Sequence, residues 1–269
     1  MSLIVFILFK LKKQLISKKI KNDVIDLAKL AGQKIMEIYQ QDFSIFEKKD
    51  RSPLTEADLI SHQTITKKLS EITPSIPVLS EESTSEELLN RINWKTYWLI
   101  DPLDGTKEFI KKNGEFTVNI ALIDSHTSVF GVVYAPAVNT TYYGGKEIGS
   151  FKQVGKKESI KIQTKKKVSG PMKIVGSRSH QSKDFKKFIQ DYPNAEIIPM
   201  GSSLKICLVA EGEADLYPRI GPTSEWDTAA AQAILEGAGG KLENFKSGTT
   251  LGYNLNKNTL LNPFFLARG

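Results

Sequence analysis

Trp98-Leu-Ile-Asp101-Pro-Leu-Asp104-Gly-Thr106-Lys-Glu-Phe109 is an apolar run that ends in two carboxylates. Tyr97 to Ile100 predict a strand. Pro102, which has no N–H to give a sheet, predicts its end. Asp101 and Asp104 stand three residues apart across that break, with the carbonyl of Leu103 between them. All three groups can converge on one hard cation, and an oxygen-only set suits Mg²⁺ rather than zinc. Gly105-Thr106 then opens a short helix, and free N–H groups at a helix start attract phosphate. Metal and phosphate would meet at one strand-to-helix corner. Taken alone, Asp-Pro-Leu-Asp-Gly is equally explained as a plain turn.

Around this stretch lie 269 residues, enough for one or two domains with a large core. Hydrophobic content of 40% and charged content of 25% describe an ordinary globular protein. The one cysteine, Cys207, excludes an intrachain disulfide and a cysteine-based zinc site, and fits a reducing cytoplasm. His62, His126 and His180 are scattered and suggest no zinc site. A net charge of +7, with a pI near 9.2, favours anionic partners: phosphates, nucleic acid or a membrane surface. Much of it sits in Lys10 to Lys21 and Lys165-Lys-Lys167, for which a solvated face is the simpler account.

The longer string Asp101-Pro-Leu-Asp-Gly-Thr-Lys-Glu-Phe109, followed by Asn113-Gly-Glu-Phe-Thr-Val-Asn-Ile120, closely resembles the signature of the inositol monophosphatase superfamily. Within it, the match is to the bacterial CysQ type of 3′(2′),5′-bisphosphate nucleotidase. Lys-Glu-Phe109 stands where inositol phosphatases typically carry Asn-Phe. Three further segments acquire a second meaning from the resemblance. Thr55 and Asp58 in Ser52-Pro-Leu-Thr-Glu-Ala-Asp58 look like a capping box that opens a helix. The resemblance implies that Asp58 also helps activate the attacking water, with the family's upstream lysine at Lys48 or Lys49. Pro77-Val-Leu-Ser-Glu81-Glu82 reads as a short strand ending in a surface pair, and the resemblance makes Glu81 a metal ligand. Asp227 in Trp226-Asp-Thr-Ala-Ala230, before Gly237-Ala-Gly-Gly240, reads as a helix N-cap. The superfamily's second signature makes it a ligand.

The rest of the chain supplies the frame. Residues 3–9 are strongly apolar and precede a basic run. Seven residues cannot span a bilayer, and the order is wrong for a signal peptide. An interfacial anchor, a packed extension and an early start codon remain open. Ile20, Val24, Leu27, Ala31, Ile35 and Ile38 predict an amphipathic helix over 18–41. Phe116–Ile123, Val129–Ala135 and a glycine-rich hairpin over 140–151 predict one antiparallel sheet. Residues 155–170 look like a join. Beyond it, strands at 172–177, 195–200 and 260–266 alternate with helices at 183–190 and 203–211, the latter with Leu204, Cys207 and Leu208 inward. This is an α/β layer. The loops Gly176-Ser-Arg178-Ser-His180 and Gly201-Ser-Ser203 sit at strand-to-helix corners suited to a second phosphate, and the resemblance favours Arg178 and His180.

These readings divide the chain into an extension (1–17), an α+β half (18–160) and an α/β half (161–269). The resemblance implies a layered α-β-α-β-α sugar-phosphatase fold with metals between the halves. Glu81, Asp101, Asp104 and Asp227 would repel one another in a partly buried site without cations. The expectation is two or three Mg²⁺ ions held by those carboxylates and the Leu103 carbonyl. Thr106, hydrogen-bonded to Asp58, would orient the water. Gly105 and Thr106 N–H groups would hold the phosphate, with Glu81, Leu103, Asp104 and Asp227 also facing the substrate. The implied reaction is hydrolysis of the 3′-phosphate of adenosine 3′,5′-bisphosphate (PAP) to AMP, and of PAPS to APS, in cytoplasmic sulfur metabolism. It would take place with or without peripheral contact to the inner membrane. Rival readings are an inositol monophosphatase and a basic nucleic-acid-binding protein. The latter rests on pI alone, without a stacking or groove-reading motif.

Overall fold

The computed structural model describes residues 16–48, 52–167, 169–178 and 182–269. Chain order gives α1 (Lys18–Tyr39), β1 (Ile45–Glu47), β2 (Pro53–Thr55), α2 (Glu56–Ile72), β3 (Val78–Ser80), α3 (Ser85–Asn90), β4 (Thr96–Asp104) and α4 (Thr106–Ile110). Next come β5 (Thr117–Asp124), β6 (Thr127–Ala135), β7 (Thr140–Gly145), β8 (Gly149–Val154), β9 (Ile160–Ile162), β10 (Lys173–Ser177), α5 (Lys183–Phe188) and β11 (Glu196–Met200). The chain closes with α6 (Leu204–Ala210), β12 (Leu216–Arg219), α7 (Trp226–Gly237), β13 (Lys241–Asn244) and β14 (Phe265–Arg268).

Two main sheets result. A seven-stranded sheet runs β3-β4-β5-β6-β7-β8-β9, antiparallel except for the β3–β4 pair. A five-stranded mixed sheet runs β11-β10-β12-β14-β13. Period-two alternation along β4 sends Trp98 and Ile100 to one face of the first sheet, where Val24, Leu27 and Ile35 of α1 and Ile65 and Leu69 of α2 cover them. Tyr97 and Leu99 face the opposite way, onto Ala230, Ile234 and Leu235 of α7 and Ile206 and Cys207 of α6. Val175 and Phe265 close that core from the second sheet, whose other face meets Phe185 of α5. The layers are α-β-α-β-α. Fully burying each of these large side chains contributes about 1.5–3 kcal/mol.

Four local expectations are corrected. β4 does not stop at Pro102 but runs on to Asp104, with a register shift between Asp101 and Asp104. One extra residue opposite β5 forms a bulge, and the bulge accommodates a proline that a regular ladder would reject. The stretch expected as a join contains β9, paired with β8. α6 buries Ile206, Cys207, Val209 and Ala210, while Leu204 and Leu208 pack against the same core only partly covered, because α7 and strands β10, β12 and β14 meet the helix on a shifted face. The last strand starts at Phe265 rather than Leu260. Pro263 cannot donate to a ladder, and residues before it tie instead to the start of α7, where Glu225 N–H donates to the Leu260 carbonyl at 2.8 Å.

Candidate active site

The bulge in β4 builds the corner. Leu103 N–H donates back to Asp101 Oδ1 at 3.1 Å, which closes the bulge and fixes Asp101. The Leu103 side chain is buried in the core, and its carbonyl accepts Thr106 Oγ1 at 3.3 Å. Gly105 turns the chain into α4 at φ +93°, a left-handed conformation that favours glycine. Asp104 Oδ2 is held by Ser203 N–H at 2.6 Å, Ser203 Oγ at 2.8 Å and Asn119 Nδ2 at 3.3 Å. Ser203 belongs to the loop expected to receive phosphate, and its donors are spent on a carboxylate instead.

Asp58 lies buried in the first turn of α2. Its Oδ2 accepts the Thr55 N–H at 2.7 Å and the Thr55 hydroxyl at 2.6 Å, while Oδ1 accepts Thr106 Oγ1 at 3.2 Å. Capping and the contact with Thr106 use different oxygens. Glu81 follows β3, beside the end of β4. Lys48, at the end of β1, reaches Glu81 Oε1 at 2.7 Å and also contacts Glu82. Burial works against its charge, but the two glutamates prevail and raise its pKa. Lys49 lies outside the described residues.

Asp227 is the second residue of α7, and its Oδ2 accepts the Ser224 N–H at 2.8 Å. Asp101, Asp104 and Asp227 each offer an oxygen within 4.8 Å of the other two. Among the described residues this is the one such group of three. The trio joins the bulge of the first sheet to the helix between the sheets. Burial, followed by Glu81 and Asp104, pushes Asp101 well above the usual carboxylate range. Burial and then Asp104 push Asp227 to about 7. Burial also raises Asp58 and Glu81. Like charges gathered with little water fit a divalent cation, which would reverse each of these shifts.

Two basic residues escaped the sequence reading. Lys205 of α6 and Arg219 of β12 line a cavity of about 100 Å³ together with Asp104, Asp227, Ser202 and Tyr217. Lys205 is held by the Ser202 carbonyl and lies 5.7 Å from the Tyr217 ring centre, and burial lowers its pKa. Arg219 Nη2 donates to the Pro222 carbonyl at 2.7 Å. Their only signal in the sequence is position: Lys205 follows the Gly201-Ser-Ser203 loop, and Arg219 lies in the stretch that leads to Asp227. Arg178, expected to meet a phosphate, is bound by Glu115 through two hydrogen bonds of 2.7 and 2.6 Å. His180 lies outside the described residues.

Comparison with known proteins agrees with this geometry. The model of the inositol monophosphatase family matches residues 18–266. The 3′(2′),5′-bisphosphate nucleotidase CysQ of Salmonella typhimurium is 45% identical over 90% of this chain and 96% of its own length. That of Escherichia coli K12 is 43% identical over 91% and 97%. The crystal structure of CysQ from Bacteroides thetaiotaomicron superposes with a TM-score of 0.84 at 41% identity, covering 95% of this chain and 99% of that one. With the fold, the carboxylate trio and these relatives in agreement, the chain belongs to the inositol monophosphatase family, in its CysQ branch.

Proposed function

We propose that this protein hydrolyses the 3′-phosphate of adenosine 3′,5′-bisphosphate to AMP and phosphate, and acts likewise on PAPS. The observation that carries the reading is one cavity lined both by carboxylates, Asp104 and Asp227, as an acidic wall, and by cations, Lys205 and Arg219, as a basic wall. The first wall suits a metal-held phosphate. The second suits another phosphate, through charge-assisted hydrogen bonds. Tyr217 and Arg219 also border a hollow of about 590 Å³ with Lys107, Phe185 and Pro218, within the range that holds a small organic ligand. An inositol monophosphate would leave the basic wall without a partner.

Asp101, Asp104, Asp227, Glu81 and the Leu103 carbonyl would hold two or three Mg²⁺ ions. Bound there, the cations supply Lewis-acid activation of water and neutralise charge on the departing ester oxygen. Thr106 Oγ1 lies 3.2 Å from Asp58 Oδ1, and a hydroxyl that donates to that carboxylate keeps its lone pairs for the attacking water. Asp58 Oδ1, 3.2 Å from Thr106 Oγ1, is the carboxylate placed to receive the proton through that hydroxyl. Gly105 and Thr106 sit at the start of α4, where their N–H groups would face the scissile phosphate. The lone buried Cys207 is in keeping with a cytoplasmic setting.

The test is kcat/KM for adenosine 3′,5′-bisphosphate and inositol 1-phosphate with Mg²⁺, then with excess EDTA. The bisphosphate is expected to be preferred and turnover to vanish with the chelator. A preference for inositol 1-phosphate overturns the substrate, and undiminished turnover in EDTA overturns the metal chemistry.

A further inference from the structure

Glu115 sits inside Asn113-Gly-Glu-Phe, outside the trio of Asp101, Asp104 and Asp227. Its side chain is 16% exposed and serves donors from the second half of the molecule. Oε2 accepts Arg178 Nε at 2.7 Å and the Gly201 N–H at 2.8 Å, and Oε1 accepts Arg178 Nη2 at 2.6 Å. Arg178 Nη2 also reaches the Pro199 carbonyl at 3.0 Å. Arg178 follows β10 and Gly201 follows β11, so one carboxylate fastens the ends of two neighbouring parallel strands to the loop between α4 and β5. The fit is close. A Cβ on Gly201 would stand 2.7 Å from the Glu115 carbonyl and 2.9 Å from Glu115 Cβ. Immediately after Gly201, Ser202 adopts φ +48°, a costly conformation for serine that persists only where its surroundings enforce it. The Ser202 carbonyl in turn receives Lys205 Nζ.

We propose that Glu115 is a positioning residue that sets substrate choice. By fastening Gly201 it fixes Ser202, and through Ser202 it holds Lys205 in the cavity it shares with Asp104 and Asp227. This rests on the reading of Lys205 and Arg219 as the wall for the second phosphate. Arg178 then acts through Glu115 and not by touching substrate. The metal corner is less dependent on this link. Ser203 has its own ties there, to Asp104, to Asn119 Nδ2 at 2.8 Å and to the Asp227 carbonyl at 2.7 Å. Loosening Glu115 therefore penalises a substrate that needs both walls more than one that needs only the first. An isolated exposed ion pair contributes little, but a two-pronged fork shared with a backbone N–H is a geometric constraint.

The experiment measures kcat and KM for adenosine 3′,5′-bisphosphate and adenosine 3′-monophosphate in wild type, Glu115→Ala, Glu115→Gln, Arg178→Ala and the Glu115→Ala/Arg178→Ala double variant. Glu115→Ala is expected to lower the bisphosphate-to-monophosphate ratio of kcat/KM by roughly tenfold or more, mainly through KM. Glu115→Gln keeps an acceptor for the Gly201 N–H and recovers part of the ratio. If Glu115→Ala does not fold, Glu115→Gln carries the test, with a ratio below wild type expected. On the bisphosphate the double variant is expected to be no worse than the weaker single one, because both changes cut the same link. An unchanged ratio in the glutamate variants overturns the proposal. So do losses that multiply in the double variant, which would place Arg178 on the substrate. A wild type without preference for the bisphosphate overturns the underlying reading itself, whereas a wild-type preference that survives Glu115→Ala overturns only the positioning role.

Discussion

Asp104 is held on one oxygen by Ser203 and Asn119, so its position does not depend on its charge. Asp104→Asn should therefore fold and lose turnover, as checked by circular dichroism and initial rates together. A variant with a large share of wild-type activity would reduce Asp104 to a turn residue. Thr106→Ala should cost roughly 10²-fold or more in kcat if the hydroxyl orients the water through Asp58. A normal kcat would remove that role. Acidity gives a further check. Burial raises Asp227 and Glu225 to about 7, above their unfolded values. Between the two values the folded state binds more protons, so metal-free stability falls as pH rises from the unfolded carboxylate range to about 7 and stays low above it. Mg²⁺ binding at Asp227 must displace the proton held there. The rise in Tm on adding Mg²⁺ should thus be larger at pH 8 than at pH 5, and an equal rise would contradict it. The meeting of Asp101, Asp104 and Asp227 could be read in advance because each sits in a fixed string of distinctive residues. Lys205 and Arg219 could not. A lone cation means nothing until the fold turns it toward a site. Nor could the partner of Arg178: Glu115, 63 residues earlier, takes its guanidinium in two hydrogen bonds.

Among the elements, alternation and capping predicted α1, α2 and the first sheet well, since each lies at a core boundary that imposes a period. β4 was read too short because a proline normally ends a ladder. Here the bulge absorbs Pro102, and Leu103 N–H turns to Asp101 in place of a neighbouring strand. The spacing of Asp101 and Asp104 is thus set by an irregular strand and not by a turn after one. The approach of α7 to the first sheet has its own signature. A Cβ on Gly131 of β6 would stand 2.1 Å from the Ala230 carbonyl, and one on Gly237 would stand 2.7 Å from the Gly145 carbonyl. Gly131→Ala must push the helix and sheet apart. Overpacking of this kind costs about 1–3 kcal/mol, to be read from urea unfolding. A neutral result would mean that α7 can shift without loss.

For the molecule as a whole, the five-layer order was expected from resemblance, whereas the place of α7 between the sheets was not visible along the chain. No helix among the described residues is long and apolar enough to cross a membrane. The apolar stretch 3–9 lies outside the described residues. Ile16 is buried and Ser17 caps α1 through the Ile20 N–H at 3.2 Å, so a truncation should stop short of both. Removing residues 2–15 should leave kcat/KM unchanged. Co-sedimentation of the full chain with anionic vesicles, lost on truncation, would identify an anchor, and no co-sedimentation would reject one. The seating of α7 reaches further. The face of the first sheet that carries Tyr97, Leu99 and Val133 is covered by a helix that begins only at Trp226, long after that sheet's last strand, β9, ends at Ile162. A ribosome that has released only the first 160 residues holds a sheet with one apolar side open to solvent. Expressed separately, fragments 16–160 and 161–269 should each aggregate, and co-expressed they should reconstitute one soluble, Mg²⁺-responsive phosphatase.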